Sequence, residues 1–357
     1  MGQLFYRAGP FEEAFAYRMN EVGRTINLTT KKGGKIMLRS MYSGISGLKN
    51  FQTKLDVIGN NIANVNTYGF KKERTIFKDL ISQTQAGASG PTATRGGVNA
   101  IQVGLGSQLA AIDTVHNGGS LQTTGRTLDL AISGDGFFMV ADGTLPDDDG
   151  IIQETGEDAF SNILYTRAGN FYMDRNGYLL NGDGKYLVGV PADSYSVSAE
   201  AVGDAGVLFD DRPDIAGADG ANLDVDGDLP ADIGAIRIPT TAQSMSIGQD
   251  GTISYVDYKG ELMFAGQLLM AKFPNASGME KTGSNYFRDT ANSGERYVQV
   301  GTVAGIGSIQ SGFLEMSNVD LSEEFTEMIV AQRGFQANSR IITTSDEILQ
   351  ELVNLKR

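Results

Sequence analysis

Three aspartates at alternate positions, in the segment NLDVDGDLP, are the residues best spaced for chemistry in this 357-residue sequence. Asp224, Asp226 and Asp228 resemble the start of a calcium-binding loop, in which alternating carboxylates coordinate the ion. Such a loop needs glycine at its sixth position and glutamate at its twelfth, but these positions hold Leu229 and Ala235. Calcium binding is therefore a weak alternative, and the sequence predicts no metal or other cofactor.

Most other catalytic arrangements lack their residues. The chain has no cysteine and a single histidine, His116, which excludes disulfides, thiol nucleophiles and multi-histidine metal centres. It contains neither the G-x-S-x-G pattern nor a phosphate-binding loop. Paired carboxylates for glycoside hydrolysis are conceivable in so acidic a chain, but nothing fixes which pair would face a sugar. We predict that the protein is not an enzyme, with a calcium-stabilised secreted adhesin or a glycan enzyme as the alternative from another class.

Charge and hydropathy limit the possible partners. The net charge of −14 argues against nucleic acid or an anionic membrane as a partner. No apolar run approaches the roughly 20 residues that a membrane-spanning helix needs. The N-terminus also lacks the unbroken apolar stretch of a cleaved secretory signal. The sequence therefore predicts a protein without membrane insertion and without a cleaved signal peptide.

Apolar residues near the N-terminus recur at intervals of seven, which predicts an amphipathic helix from Leu38 to about Val65. One series is Met41, Leu48, Leu55 and Ile62, and a second is Phe51, Ile58 and Val65. The asparagine-rich segment 60–66 and Gly69 favour the left-handed backbone that ends a helix. The basic residues that follow, Lys71, Lys72 and Arg74, are interpreted as a solvated patch.

The last 45 residues, from Phe313 to Arg357, are predicted to form a second amphipathic helix. Its first stripe is Leu321, Met328, Phe335, Ile342 and Leu349, and its companion stripe is Phe325, Gln332, Ser339, Asp346 and Val353. The alternating spacing of four and three residues is typical of a helix that packs against partner helices. Packing on the core of the same chain is the simpler alternative.

The two terminal helices have complementary charge. Residues 37–80 carry seven basic and three acidic side chains, whereas residues 313–357 carry four basic and eight acidic ones. We therefore expect the helices to pair with each other and with other copies of the chain. The predicted assembly interface comprises Met41, Leu48, Phe51, Leu55, Ile58, Ile62, Leu321, Phe325, Met328, Gln332, Phe335, Ile342, Leu349 and Val353.

The middle of the chain is rich in strand and turn signals. Asn-Gly and Asp-Gly pairs between alternating apolar residues are strong hairpin signals. They predict strands at 128–132 and 137–140, at 170–173 and 178–180, and at 244–247 and 252–256. The predicted fold class is α+β, with a central antiparallel β-rich domain and a coiled-coil domain of terminal helices.

The domain boundaries follow from these patterns. The predicted parts are an extension at 1–36, the N-terminal helix and its asparagine-rich stop at 37–80, an extended linker at 81–107, the β-rich domain at 108–310 with acidic insertions at 145–160 and 192–232, and the C-terminal helix at 311–357. Lys31-Lys32-Gly33-Gly34 implies purine-rich codons like those of a ribosome-binding site. We therefore expect translation to start at Met37, so that the extension is not native or is disordered.

Several long motifs carry a resemblance to a known family. The segment SMYSGISGLKNFQTKLDVIGNNIANVNTYGFKK, residues 40–72, resembles the N-terminal signature of bacterial flagellar rod and hook axial proteins. Residues 314–357 resemble the C-terminal counterpart, and residues 124–140 and 165–179 resemble the β segments of this family. Within the family, SNVDLSEEFTEMIVAQR is more similar to hook proteins than to distal rod proteins.

The resemblance implies a function as well as a fold. It implies a structural subunit of the flagellar hook, a flexible tube that acts as a universal joint, with distal rod protein as the alternative. It further implies a homopolymer that meets the hook cap, distal rod and hook-filament junction proteins. Such a subunit would leave the cell through the flagellar type III export apparatus and be extracellular.

Overall fold

The computed structural model describes residues 40–143, 160–192 and 233–355. The extension at 1–36 lies outside the described residues, as do the acidic insertions at 145–160 and 192–232 except for their edge residues. The predictions made for those segments stay predictions.

The described chain divides into two compact units, each discontinuous in sequence. Unit 1 comprises the residues up to Gly59, Arg74–Ile112 and the residues from Phe325 on. Unit 2 comprises Asn60–Glu73 and Asp113–Glu324.

Among the described residues, helix α1 covers 40–63, whereas the heptad pattern predicts a helix from Leu38 to about Val65. It ends in hydrogen-bonded turns in which the Asn64 amide donates to the carbonyls of Asn60 and Asn61. Gly69 follows with a φ of 70°, and a Cβ there would lie 2.5 Å from the Ala168 nitrogen. Glycine is therefore required at this position for both its backbone conformation and its close approach.

Two strand pairs follow α1. Strand β1 (Glu73–Asp79) pairs with β4 (Ser107–Thr114), and β2 (Ser82–Ala86) pairs antiparallel with β3 (Ile101–Gly104). The prediction of a loop or extended linker at 81–107 is therefore wrong, because β2 and β3 form the base of a long hairpin. Composition suggested little to bury there, and the side chains of β2 and β3 are indeed exposed. The ladder depends on backbone hydrogen bonds, which composition does not reveal.

Unit 2 holds the remaining strands. They are β5 (Leu121–Thr123), β6 (Leu130–Ser133), β7 (Phe137–Gly143), β8 (Phe160–Thr166), β9 (Phe171–Met173), β10 (Leu179–Asn181), β11 (Tyr186–Pro191), β12 (Gly234–Ala235), β13 (Ser244–Ile247), β14 (Thr252–Val256), β15 (Leu262–Leu268), β16 (Met270–Lys272), β17 (Glu280–Gly283), β18 (Tyr286–Arg288), β19 (Tyr297–Gln299), β20 (Ser308–Ser311) and β21 (Phe313–Glu315). Thirteen of them form one sheet along the path β13-β14-β15-β11-β7-β8-β18-β17, with the others paired beside it. The antiparallel β-rich prediction is confirmed.

Two of the three predicted hairpins are present. Strand β9 pairs with β10, and β13 pairs with β14, across the Asn-Gly and Asp-Gly turns. The strands on either side of Gly134-Asp135-Gly136 exist, but β6 pairs with β20 and not with β7. Gly134 and Gly136 have φ angles of 115° and 131°, so this turn redirects the chain instead of closing a hairpin.

Strand β7 lies at the centre of the core and buries both of its faces. Phe138 and Val140 belong to one hydrophobic cluster, and Phe137, Met139 and Ala141 belong to a second cluster. A continuous apolar run is typical of a strand covered on both sides.

The observed β structure extends beyond the predicted 108–310, because it begins with β1 and ends with β21.

Helix α2 covers Leu321–Asn354, so the prediction of helix from 311 or Phe313 is wrong. Strand β21 occupies the first part of that segment and pairs with β5. The Asp320 carboxylate caps the helix by accepting from the backbone nitrogens of Ser322 at 2.8 Å and Glu323 at 3.4 Å. An aspartate in this position is a strong helix start signal, which the heptad reading passed over.

Candidate functional site

The predicted interface residues of the two terminal helices differ in how far they are buried within one chain. On α1, Ile58 is buried and Met41, Leu48, Phe51, Leu55 and Ile62 are half-buried. On α2, Met328, Phe335, Ile342 and Leu349 are half-buried, whereas Leu321 is exposed. As an assembly interface between copies of the chain, these residues stay a prediction.

Glycines bring the two helices into close contact. A Cβ on Gly334 would lie 2.5 Å from the Phe51 ring, and a Cβ on Gly47 would lie 3.0 Å from the Asn338 amide nitrogen. A small residue on one helix thus accepts a larger side chain from the other at both places. One ion pair, Lys54 Nζ to Glu327 Oε2 at 3.0 Å, also joins the helices.

The companion stripe of α2 is not the one that packs on α1. Phe325, Gln332 and Asp346 are exposed, Ser339 is half-buried, and Val353 is 65% exposed. The packed positions lie one residue earlier, where Ala331 and Ser345 are buried. The sequence reading preferred the large apolar side chains, but closely packed helices select small ones. As a surface for another copy of the chain, the companion stripe stays a prediction.

Helix α2 exposes apolar side chains on both flanks of its packed face. Phe325 and Ile329 are 49% and 52% exposed on one flank. Val330, Ile341 and Ile348 share the other flank, since positions 7 or 11 residues apart fall on one side of an α-helix. Phe325 and Ile329, one helical turn apart, form exposed apolar surface of the kind that is typical of an interaction site.

The hairpin of β2 and β3 is a second exposed apolar surface in unit 1. Ile81 is 80% exposed, and Val98, Ile101 and Val103 are exposed near it. Backbone bonds between Ser89 and Val98 continue the ladder toward the tip. An isolated two-stranded hairpin is marginally stable in water, so this one is expected to gain stability when it is covered.

A buried charge cluster joins three distant segments of unit 2. Glu315 accepts from Lys71 Nζ at 2.6 Å and from Arg167 Nη1 at 3.2 Å, and all three side chains are at most 3% exposed. Lys71 also donates to the Asn117 carbonyl at 2.8 Å, and the Gly119 nitrogen donates to Glu315 at 2.9 Å. Burial lowers the pKa of Lys71, and the charge of Glu315 partly opposes that shift.

The charge cluster corrects the interpretation of the basic patch after α1. Lys71 is buried and not solvated, while Lys72 forms a partly exposed ion pair with Glu323 at 2.8 Å. Lys71 directly follows the buried Phe70 and precedes β1, and nothing in the local sequence distinguishes a buried lysine from an exposed one. Sequence reasoning therefore missed the cluster.

His116 lies against the aromatic rings of Phe137 and Phe287, with centroid distances of 5.6 Å and 5.3 Å. By hydrogen-bond geometry, neither ring nitrogen has a partner among the described residues. Burial, followed by the charges of Lys71 and Arg167, lowers the pKa of His116 to about 4. The imidazole is therefore neutral at physiological pH, packed as an aromatic side chain.

The described residues contain no group of three or more potential metal-ligating side chains. The calcium-like aspartates Asp224, Asp226 and Asp228 lie outside the described residues. In the same described part of the chain, no helix is both long and apolar enough to span a membrane.

Three family models match the chain. Residues 41–71 match "Flagella basal body rod protein", residues 131–255 match "Flagellar hook protein FlgE/F/G D1 domain", and residues 310–355 match "Flagellar basal body rod FlgEFG protein C-terminal". A full-length relative, the flagellar basal-body rod protein FlgG of Bacillus subtilis (strain 168), is 52% identical over 323 residues, which cover 90% of this chain and 100% of the relative.

The chain belongs to the flagellar rod and hook protein family. Other relatives carry both names. The flagellar hook protein FlgE of Borreliella burgdorferi is 32% identical and the basal-body rod protein FlgG of the same strain is 33% identical, each covering 90% of this chain and 100% of the relative. The resemblance seen in the sequence motifs is thereby confirmed.

Rod and hook proteins are structural components of the flagellum and not enzymes, so the prediction of no enzymatic activity is confirmed. Members of this family polymerise within the flagellar structure. The functional site of such a protein is the surface that contacts other subunits. In this chain, the exposed apolar residues of unit 1 are the candidates for that surface.

Proposed function

We propose that this chain is the distal rod subunit of the bacterial flagellum and builds a tube by stacking copies of itself. The FlgG relative from Bacillus shares 52% identity with it over 323 aligned residues. The hook relative from Borreliella shares 32%, over an alignment of 459 positions that is longer than the chain itself. The hook protein therefore contains segments for which this chain has no counterpart, which favours the rod.

Hook protein is the second candidate, and the C-terminal motif favoured it at the level of sequence. That motif lies at the start of α2, where rod and hook proteins share the FlgEFG C-terminal model. A segment common to both proteins discriminates poorly between them. Identity over the whole length of the rod relative is the broader criterion, so the distal rod takes precedence over the hook.

The exposed apolar side chains of α2 support assembly from identical copies. The helix packs one face on α1, and the apolar side chains on the flanks of that face are exposed in the single chain. In a tube of identical subunits, every copy offers the same surfaces to its neighbours. We assign the predicted interface residues Leu321, Phe325, Gln332 and Val353 to these contacts between copies.

The remaining predictions about partners become part of this proposal. The subunit would be exported without a cleaved signal through the flagellar type III apparatus. It would then add to the growing rod outside the cytoplasmic membrane, next to the hook protein. The complementary charges of the two terminal segments, such as those of Lys54 and Glu327, would orient the helices during assembly.

Gene deletion followed by electron microscopy of isolated basal bodies distinguishes the two candidates. Without a distal rod subunit, basal bodies should lack both the distal rod and the hook. A complete rod that lacks only the hook would overturn the proposal in favour of hook protein. Complementation with the intact gene serves as the control for effects on neighbouring genes.

Point variants on α2 test the assembly surface separately. Val330→Gln and Ile348→Gln replace exposed apolar side chains with a good helix former, so the free subunit should lose no more than about 0.5 kcal/mol of stability. Tube formation, measured by sedimentation and electron microscopy, should nevertheless fall sharply. Glu351→Gln, a polar change on the same helix, is the matched control. Normal tubes from both apolar variants would contradict the assignment of this flank.

A further inference from the structure

Asn117–Gly118 is one of three Asn-Gly pairs in the chain, together with Asn176–Gly177 and Asn181–Gly182. In such a pair the glycine nitrogen can attack the preceding side-chain amide, because glycine has no side chain to obstruct the approach. All three pairs lie among the described residues, so their surroundings can be compared directly.

The Asn181 side chain is held on every side. It is 6% exposed, and its amide nitrogen donates to the Tyr286 hydroxyl at 2.6 Å. Its carbonyl oxygen accepts from the backbone nitrogens of Asp183 and Lys185, both at 3.0 Å. This side chain cannot turn toward the Gly182 nitrogen without breaking three hydrogen bonds.

The Asn176 side chain is exposed, but the glycine after it is fixed. The Gly177 nitrogen donates to the Asp174 carbonyl at 3.2 Å, and Gly177 is buried with a φ of 92°. A Cβ on Gly177 would lie 2.0 Å from the Ile238 carbonyl oxygen, which shows how closely the backbone is surrounded. The attacking nitrogen is therefore both occupied and held in the turn.

Asn117 and Gly118 have neither restraint. Both residues are exposed and lie outside any helix or strand. An ideal Cβ on Gly118 would meet nothing within 4 Å, so no neighbouring atom crowds this glycine. In the described structure, neither the Asn117 side chain nor the Gly118 nitrogen takes part in a hydrogen bond.

We propose that Asn117 is a site of spontaneous deamidation in the folded protein. The Gly118 nitrogen bonds to Asn117 Cγ, the bond from Cγ to the amide nitrogen breaks, and ammonia leaves with the proton from Gly118. Water then opens the resulting five-membered imide at one of its two carbonyl carbons. The product is aspartate, or isoaspartate in which the main chain runs through Cγ and the α-carboxylate is free.

The modification would place a carboxylate beside the buried charge cluster. The Asn117 carbonyl oxygen accepts from Lys71 Nζ at 2.8 Å and from the Asn318 amide at 3.2 Å. In isoaspartate, that α-carbonyl becomes the free carboxylate. Among the described residues, Lys71 and Arg167 share only Glu315 as a buried counter-ion, so an additional negative charge at this position is favourable.

The test is a time course in which the full-length chain is incubated in neutral buffer. Samples are digested, the peptides are sequenced by tandem mass spectrometry, and isoaspartate is detected by isoaspartate-specific methylation. Deamidation at Asn117 should be at least roughly tenfold faster than at Asn181, because opening a hydrogen-bonded site costs free energy. In guanidinium the three pairs should react at similar rates, since glycine follows the asparagine in each of them. The ratio of folded to unfolded rates therefore isolates the effect of structure.

Gly118→Ala is the matched variant, because the added methyl group meets no neighbour and the fold is retained. It should slow the reaction at residue 117 while leaving the rates at Asn176 and Asn181 unchanged. An Asn117 that remains an amide in the folded chain, or reacts no faster than Asn176, would overturn the proposal. Neither outcome depends on whether the chain forms a rod or a hook.

Discussion

Units 1 and 2 of this chain differ in how completely each buries its own apolar side chains. Among the described hydrophobic side chains of unit 1, only Ile58 and Ala331 are buried. In unit 2, by contrast, two hydrophobic clusters cover both faces of β7. Unit 1 instead exposes Ile81, Val330 and similar residues along a helix and a hairpin.

The difference shows that one polypeptide can combine a unit that buries its apolar side chains with a unit that leaves many of them exposed. Burial of apolar area is the main favourable term in folding, so unit 2 should be stable as a free subunit. Unit 1 should reach comparable stability only when other copies cover it. In the proposed tube, β-rich unit 2 would be a preformed part and unit 1 would be completed on assembly.

The largest effect should come from the charge cluster of unit 2. Glu315→Gln leaves Lys71 and Arg167 buried without a counter-ion, which should cost about 3–5 kcal/mol in urea unfolding followed by tyrosine circular dichroism. Glu327→Gln breaks the half-exposed ion pair with Lys54 in unit 1 and should cost no more than about 1 kcal/mol. Equal losses for the two variants would break the contrast between the units.

Acid should weaken unit 2 through His116, whose folded-state pKa is about 4 against 6.5 for the exposed group. Between these two pH values, His116 binds a proton in the unfolded chain but not in the folded chain. The contribution of neutral His116 to the free energy of unfolding is therefore fully present above pH 6.5 and falls as the pH drops toward 4. The total loss should approach about 3 kcal/mol. His116→Phe, which cannot be protonated, should remove this part of the pH dependence. A wild-type profile as flat as that of the variant would refute the effect.

The smallest effect should come from the contact between the terminal helices. Gly334→Ala places a Cβ 2.5 Å from the Phe51 ring and should destabilise unit 1 by about 1–3 kcal/mol in thermal melts of the helical signal. Gly59→Ala, an exposed position on α1 with no atom within 4 Å, should stabilise the helix by about 0.5–1 kcal/mol. If Gly334→Ala changes nothing in the free subunit, the two helices do not pack before assembly.

Periodicity and turn chemistry predicted much of the fold because both are local properties of the sequence. The intervals of seven residues predicted the two terminal helices α1 and α2, and the Asn-Gly and Asp-Gly pairs predicted two hairpins. The pairing of β6 with β20 could not be predicted in this way, since those strands are distant in sequence. Their register depends on burial that only the assembled sheet provides.

The packing of α1 against α2 within the chain was predicted less completely. The hydrophobic pattern predicted that the large side chain of Phe325 packs, but Phe325 is exposed. The packed face instead depends on small residues, Ala331 and the glycines Gly47 and Gly334, which a hydrophobic pattern does not detect. The buried Lys71 was hidden for a similar reason, because its partners Arg167 and Glu315 come from remote segments. Sequence patterns show which side chains are apolar, but they do not show which other side chains will pack around them.

Closure of unit 2 depends on residues near its end, and this sets a limit on when the domain can form. Lys71 and Glu315 are 244 positions apart, and β5 finds its partner only in β21. Contacts between such distant residues form slowly, because a long loop must first be closed. During synthesis from the amino terminus, unit 2 therefore cannot complete its fold until almost the whole chain has been made. The chain stays unfolded during that time, and an export machinery can bind it in that state.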